Sequence, residues 1–278
     1  MTKRAQRWLT GAAVGAIGLV LCAAGVHHLS KLLRDRGPSP PAMLAGPVMP
    51  VAMSSDSSEL ARQVESALPP HIGACVLTID GGRVVFEHAF GLADVETNTP
   101  CTPTTNFRMA SVSKQFTATA VLLLVDRGQL ALDDRLRQFS PGFPPYGNDI
   151  TVKHLLTHTS GVPPYEELIP EGTTLQLDDL DVLHLLMDTK RPRFAPGEKF
   201  EYSNSGYALL GLIVEVVSKT PFHEFMAREV LRPLGMNDSV LFQRGLNEVP
   251  YRAFGHERRE GRWVRNDQSL TSAIRGDV

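Results

Sequence analysis

The apolar residues of this chain fall into runs whose period changes along its length. Trp8 to Val26 is continuous, nineteen residues without a charge. Residues 37–58 hold Pro38, Pro40, Pro41, Pro47 and Pro50 and close on Ser54-Ser55-Asp56-Ser57-Ser58, a stiff, polar linker. Glu59 to Leu68 has a helical period and is stopped by Pro69-Pro70. Two strand-like runs follow, 74–79 and 83–88, around Asp80-Gly81-Gly82, which is a good hairpin signal. A loop to Phe107 leads into the apolar stretch Gln115 to Val125, a buried helix that starts near Ser111 and closes at Gly128. Residues 151–158, with Thr151 as N-cap, then 178–188, 209–218 and 222–231 are further helices. Residues 253–256 and 262–264 read as a second, weaker hairpin, and no internal repeat is visible. Strands first and a helical block after them predict an α+β fold, with helices against an antiparallel sheet.

Composition adds bounds. The chain has 278 residues, 42% apolar and 21% charged, and a net charge of −2, which gives nucleic acid no electrostatic footing. The charge is uneven. Residues 1–36 carry six basic residues and one acid, leaving 22 basic and 29 acidic residues in the remainder. The 8–26 run is long enough to span a bilayer, and Lys3, Arg4 and Arg7 before it predict a cytoplasmic N-terminus. Three readings stay open: an uncleaved anchor, a signal peptide cut near Cys22-Ala23-Ala24, or a lipoprotein signal, against which the bulk of Leu21 counts. Each exports the body, to a periplasmic or extracellular position. The expected organisation is a membrane anchor or signal over 1–36, a linker over 37–58 and a folded body over 59–278. Gly11 and Gly15 have the spacing of a helix-pairing motif, but glycine is common in such segments and the oligomeric state is left open. Cys75 and Cys101 meet an oxidising compartment if exported; a pair and two free thiols both fit.

The chemistry begins at Ser111-Val112-Ser113-Lys114. Residues three apart share a helix face, so the Lys114 amine can reach the Ser111 hydroxyl, and a helix N-terminus favours negative charge there. A serine hydroxyl is a weak nucleophile until a base takes its proton. A lysine serves as that base when burial and neighbouring charge bring its pKa down from ~10.4, and the apolar helix supplies burial. The same four residues also fit a serine cap followed by a surface lysine. A second signal, Tyr202-Ser203-Asn204, precedes another helix. A phenol beside an ammonium can shuttle protons, and an asparagine can hold the amine or a substrate carbonyl.

Together these segments resemble the penicillin-recognising serine hydrolases: class C β-lactamases, D-alanyl-D-alanine carboxypeptidases and related esterases. Residues 107–118 resemble that family's nucleophile segment. Residues 150–162, with His154-Leu155-Leu156-Thr157-His158-Thr159-Ser160-Gly161, are similar to its H-L-L-x-H-x-S-G segment, and 200–207 to its tyrosine segment. The resemblance covers roughly residues 60–275. It implies a β-lactamase/transpeptidase-like fold, an antiparallel sheet with a helical lobe. It further implies Ser111 as acylated nucleophile, Lys114 as the amine that helps deprotonate it, Tyr202 as general base and later acid, and Asn204 as the residue orienting Lys114 and the substrate. The implied partner is a small-molecule or peptide substrate, with no metal and no cofactor. His154 and His158 also have the spacing of two zinc ligands on a helix, but Leu155 stands where that motif needs glutamate; bracing the helical lobe is the other reading. Asn237-Asp238-Ser239 and Arg275-Gly276-Asp277 match short motifs without a role here.

The family's third motif, a basic or histidine residue, a small residue and glycine on a late strand, is not found after Tyr202. His256-Glu257-Arg258 does not fit it. The expectation is a C-terminally truncated sequence, without the strands that complete the sheet and supply the second oxyanion donor. The first hairpin is then expected to show an exposed apolar face. The competing reading is a non-catalytic or inactive member, a membrane-tethered binding module or remnant.

Overall fold

A computed structural model describes residues 55–68, 72–174, 176–243 and 246–266. The apolar run at 8–26, Gly11, Gly15, Cys22, the linker up to residue 54 and residues 275–277 lie outside them.

Helix α1 (Ser55–Ala67) starts four residues before the expected Glu59. Serine and aspartate favour helix entry, so the polar run that closes the linker pattern also opens a helix. Strands β1 (Ala74–Asp80) and β2 (Arg83–Phe90) form the expected antiparallel hairpin, and Gly81 and Gly82 both take positive φ, as a tight two-residue turn requires. One face of the ribbon, with Phe86, Phe90, Ala74 and Val76, packs on Ala61, Val64 and Leu68 of the helix end. The other face leaves Leu77, Ile79 and Val85 exposed.

Two short strands, β3 (Leu92–Asp94) and β4 (Thr99–Pro100), occupy what the sequence reads as loop. They are too brief for a period-two pattern to show. The second hairpin is β5 (His256–Arg259) with β6 (Arg262–Arg265). Its first strand therefore lies three residues beyond the expected 253–256. Glu260 and Gly261 carry positive φ, and this two-residue turn sets Arg259 opposite Arg262. Buried Asp94 accepts a hydrogen bond from Arg265 at 2.5 Å, and His256 Nε2 accepts one from the Val95 amide at 3.1 Å, so this hairpin is tied to β3.

The main core is helical. Helix α2 (Lys114–Asp126) is entered through a 3-10 turn, Ala110–Ser113, and Gly128 just past its end has φ of +67°. After it come α3 (Leu136–Phe139), α4 (Val152–Leu156), α5 (Asp179–Met187), α6 (Asn204–Ser218) and α7 (Phe222–Phe225), the last continuing as a π-helical stretch, Met226–Leu231. The expected Thr151 cap is present, its Oγ1 accepting the His154 amide, and the Asp178 carboxylate caps the next helix by accepting the Asp181 amide. Helix α6 is the axis. It is buried from Ser205 through Gly211 and packs on α2, α4, α5 and α7. It begins two residues before the expected entry at Gly206 and five before the apolar run that opens at Leu209, because its first turn, Asn204-Ser205-Gly206, carries no apolar period.

Candidate active site

Ser111 sits in the 3-10 turn that feeds α2. Ala110, just before it, takes a φ of +45°, a conformation that L-residues avoid at a cost of about 1–3 kcal/mol. The turn leaves Ser111 and Val112 exposed while Ser113 and Lys114 are buried, Lys114 at 6% exposure. The Lys114 Nζ donates to Ser111 Oγ at 3.2 Å, and the Tyr202 hydroxyl donates to the same oxygen at 2.6 Å. The i, i+3 spacing therefore does bring the amine to the hydroxyl, and a residue 91 positions away completes the triad. Nζ also lies 5.0 Å from the Tyr202 ring centroid and 5.6 Å from that of Tyr207, within cation–π range.

Tyr202 is placed by its neighbours. Ser203 caps α6, accepting the Gly206 amide at 3.0 Å. Ser205 accepts the Tyr165 amide at 2.9 Å and donates to the Pro163 carbonyl at 2.7 Å. The segment from His154 to Gly161 then straps the stretch before Tyr202. The Arg193 amide donates to the Gly161 carbonyl, the Gly197 amide to Thr159 and the Glu201 amide to His158, all within 2.9 Å. His158 accepts the Ser203 amide through Nδ1 at 3.1 Å, and its ring lies 4.7 Å from the Tyr202 ring and 5.0 Å from the Tyr207 ring. Burial, and after it the positive charge of Lys114, hold His158 below the ordinary histidine range, which keeps Nδ1 free to accept. His154 Nδ1 accepts the Thr151 amide at 3.3 Å. Both histidines are thus engaged by backbone, and among the described residues no cluster of three or more His, Cys, Asp or Glu is placed to hold a metal.

Gly161 is the tightest point of the strap. Its φ is +70°, and a Cβ there would lie 2.2 Å from the Phe194 carbonyl oxygen. Gly161→Ala is expected to cost about 2–3 kcal/mol from backbone strain and overpacking, read as a lower urea midpoint. A midpoint equal to the parent's would show that the strap carries no such constraint.

Asn204 opens α6, two residues beyond Tyr202, and its Nδ2 donates to Glu166 Oε1 at 2.7 Å. Glu166 is exposed, and sequence reading did not single it out. The contact joins residues 38 positions apart, and nothing local to Tyr165-Glu166-Glu167 distinguishes Glu166 from Glu167, which pairs with Arg193. A cavity of about 880 Å³ opens behind the Ser111 turn, lined by Met109, Phe116, Phe222, Met226 and Arg252 among others; Ser111, Lys114 and Tyr202 are not part of its wall.

A family model described as Beta-lactamase matches residues 61–274. Penicillin-binding protein 4* of Bacillus subtilis (strain 168) is 33% identical over 188 residues, covering 65% of this chain and 41% of that protein. The octameric penicillin-binding protein homologue from Pyrococcus abyssi superposes with a TM-score of 0.63 at 33% identity, over 76% of this chain and 49% of that one. EstCE1, described as a hydrolase with promiscuous acyltransferase activity, gives a TM-score of 0.61 at 27% identity, over 76% and 57% respectively. The chain belongs to the serine β-lactamase and penicillin-binding protein family, with the α+β, β-lactamase/transpeptidase-like fold that the sequence predicts. It spans less than two thirds of the length of each of these relatives.

Proposed function

We propose that this chain carries the nucleophile machinery of an exported serine hydrolase, which forms an acyl-enzyme on an amide or ester of the D-amino acid peptide, ester or β-lactam kind. The observation that carries the reading is one oxygen, Ser111 Oγ, held between Lys114 Nζ at 3.2 Å and the Tyr202 hydroxyl at 2.6 Å. For attack Tyr202 first gives its hydroxyl proton to bulk water and stands as a phenolate beside the Lys114 ammonium. The Ser111 O–H then passes its proton to the Tyr202 oxygen as Oγ adds to the substrate carbonyl carbon. The Ser111 amide is assigned to the developing oxyanion. Tyr202 returns the proton to the leaving nitrogen or oxygen, and water, deprotonated along the same route, releases the acyl group. Asn204 is assigned to the substrate side. Its partner Glu166 adds a carboxylate, which suits an acyl donor with a cationic amine near the scissile bond and favours amino acid amides or esters over β-lactams. Export rests on the basic and apolar pattern of residues 1–26; among the described residues no helix is long and apolar enough to cross a membrane.

The test is covalent labelling of the purified protein with a fluorophosphonate and with a fluorescent penicillin. Labelling is expected at Ser111 and is expected to vanish in Ser111→Ala. Unchanged labelling in that variant, or no reaction with either probe or with simple amino acid esters, would leave the non-catalytic reading in its place.

A further inference from the structure

Two sulfurs meet at the entry to the nucleophile segment. Cys75 is the second residue of β1, and Cys101 directly follows β4. The Cys75 thiol donates to the Thr102 carbonyl at 3.1 Å. The Ala74 amide faces the Cys101 sulfur closely enough to favour its thiolate, and a Cβ on Gly73 would lie 2.7 Å from Cys101 Sγ. Three consecutive residues, 73 to 75, therefore press on two consecutive residues, 101 and 102. Each sulfur sits against the backbone that carries the other, which is the close approach a disulfide needs. Cys75 is exposed and Cys101 buried, so a small reagent reaches the first and the second lies behind it.

We infer that Cys75 and Cys101 are a dithiol–disulfide pair, a modification site at which exchange with a small-molecule disulfide staples β1 to the segment entering the nucleophile turn. The Cys75 thiolate attacks one sulfur of the small disulfide, forming a mixed disulfide and releasing one thiolate. The Cys101 thiolate then attacks the Cys75 sulfur and releases the second. Two protein thiols and one small disulfide give one protein disulfide and two small thiols, so the protein loses two electrons and two protons to the reagent.

The staple acts where the fold is weakly tied. Among the described residues, β1–β2 and β3–β4 are separate two-stranded sheets with no ladder between them. The segment after Cys101 runs to Asn106, anchored by its amide to the Tyr251 carbonyl at 2.9 Å and by Nδ2 to the Pro250 carbonyl at 2.7 Å, and then to Ala110 and Ser111. A bond at Cys101 fixes the near end of that segment and closes a loop around β2, β3 and β4.

Reactivity has a pH sign. Burial, and then the Glu87 carboxylate, push the Cys75 thiol above the ordinary cysteine range; burial, and then Cys75, do the same to Cys101. Both are thiols at neutral pH, so exchange is slow there and speeds up as pH rises toward their raised values.

The test uses the whole chain, reduced, desalted and exposed to excess oxidised glutathione at neutral and at alkaline pH, then acid-quenched, alkylated and mapped by mass spectrometry. The expected product is a Cys75–Cys101 cross-linked peptide, formed faster at alkaline pH, with Cys22 outside the bond. The oxidised protein is expected to unfold in urea at a higher midpoint, equivalent to roughly a 10²-fold smaller unfolding constant. Dithiothreitol should reverse the gain, and Cys101→Ser should keep a glutathione adduct on Cys75 with no gain. Stable glutathione adducts on both residues, a bond from either to Cys22, or both thiols still alkylatable after alkaline treatment would each overturn the pairing.

Discussion

Lys114→Met is expected to slow fluorophosphonate labelling of Ser111 by about 10³-fold and, in the same variant, to leave thermal stability unchanged or higher. The two halves of this result have one origin. Lys114 is nearly enclosed, at the start of α2, with its Nζ on Ser111 Oγ and against two aromatic rings. Methionine matches its length and apolar stem, so α2 keeps its packing. What disappears is the hydrogen bond and the charge that hold Ser111 ready. A buried charge is costly to keep out of water, and an apolar isostere is often neutral or stabilising. Labelling kinetics with a melting curve on the same preparation checks both. A labelling rate within tenfold of the parent, in a folded variant, would remove Lys114 from the reaction.

Tyr202→Phe is expected to cost about 10²–10³ in the same labelling rate, and to prolong any penicilloyl adduct, because deacylation uses the same oxygen. Its hydroxyl is the closer of the two groups on Ser111 Oγ, at 2.6 Å. The ring is half in solvent and keeps its contact with His158 in the variant, so the fold should not change. Stopped labelling assays give the acylation rate, and loss of fluorescent penicillin from the isolated adduct gives the deacylation rate. If neither slows, the proton passes through Lys114 alone.

How far the site could be read in advance depended on whether its contacts were local. Ser111 and Lys114 are one turn apart, so their meeting follows from helix geometry. Tyr202 stands out in the sequence through Asn204 beside it and the S-x-x-K pattern before it, both at helix entrances, but its distance from Ser111 comes only from the packing of α2 on α6. The His154–Gly161 segment is visible as a pattern, yet most of its work lies in main-chain bonds to residues 193–201, which side-chain identities do not announce. Glu166 was missed for a related reason: its partner Asn204 is distant in sequence and its neighbour Glu167 is chemically identical. In the fold, long apolar runs gave their helices, while polar entries such as Asn204-Ser205-Gly206 hid the start of α6. Brief strands such as β3 and β4 offered too few residues to show alternation.

The histidine under Tyr202 gives the site a further property. His158 is fixed by its own carbonyl and by Nδ1 to main-chain amides on either side of Tyr202, and its ring lies against both Tyr202 and Tyr207. The phenol consequently has few rotamers to lose when a substrate docks. In the proposed acylation, ordering entropy that a loosely held tyrosine would surrender is already spent in folding, so the expected gain falls on the chemical step rather than on binding.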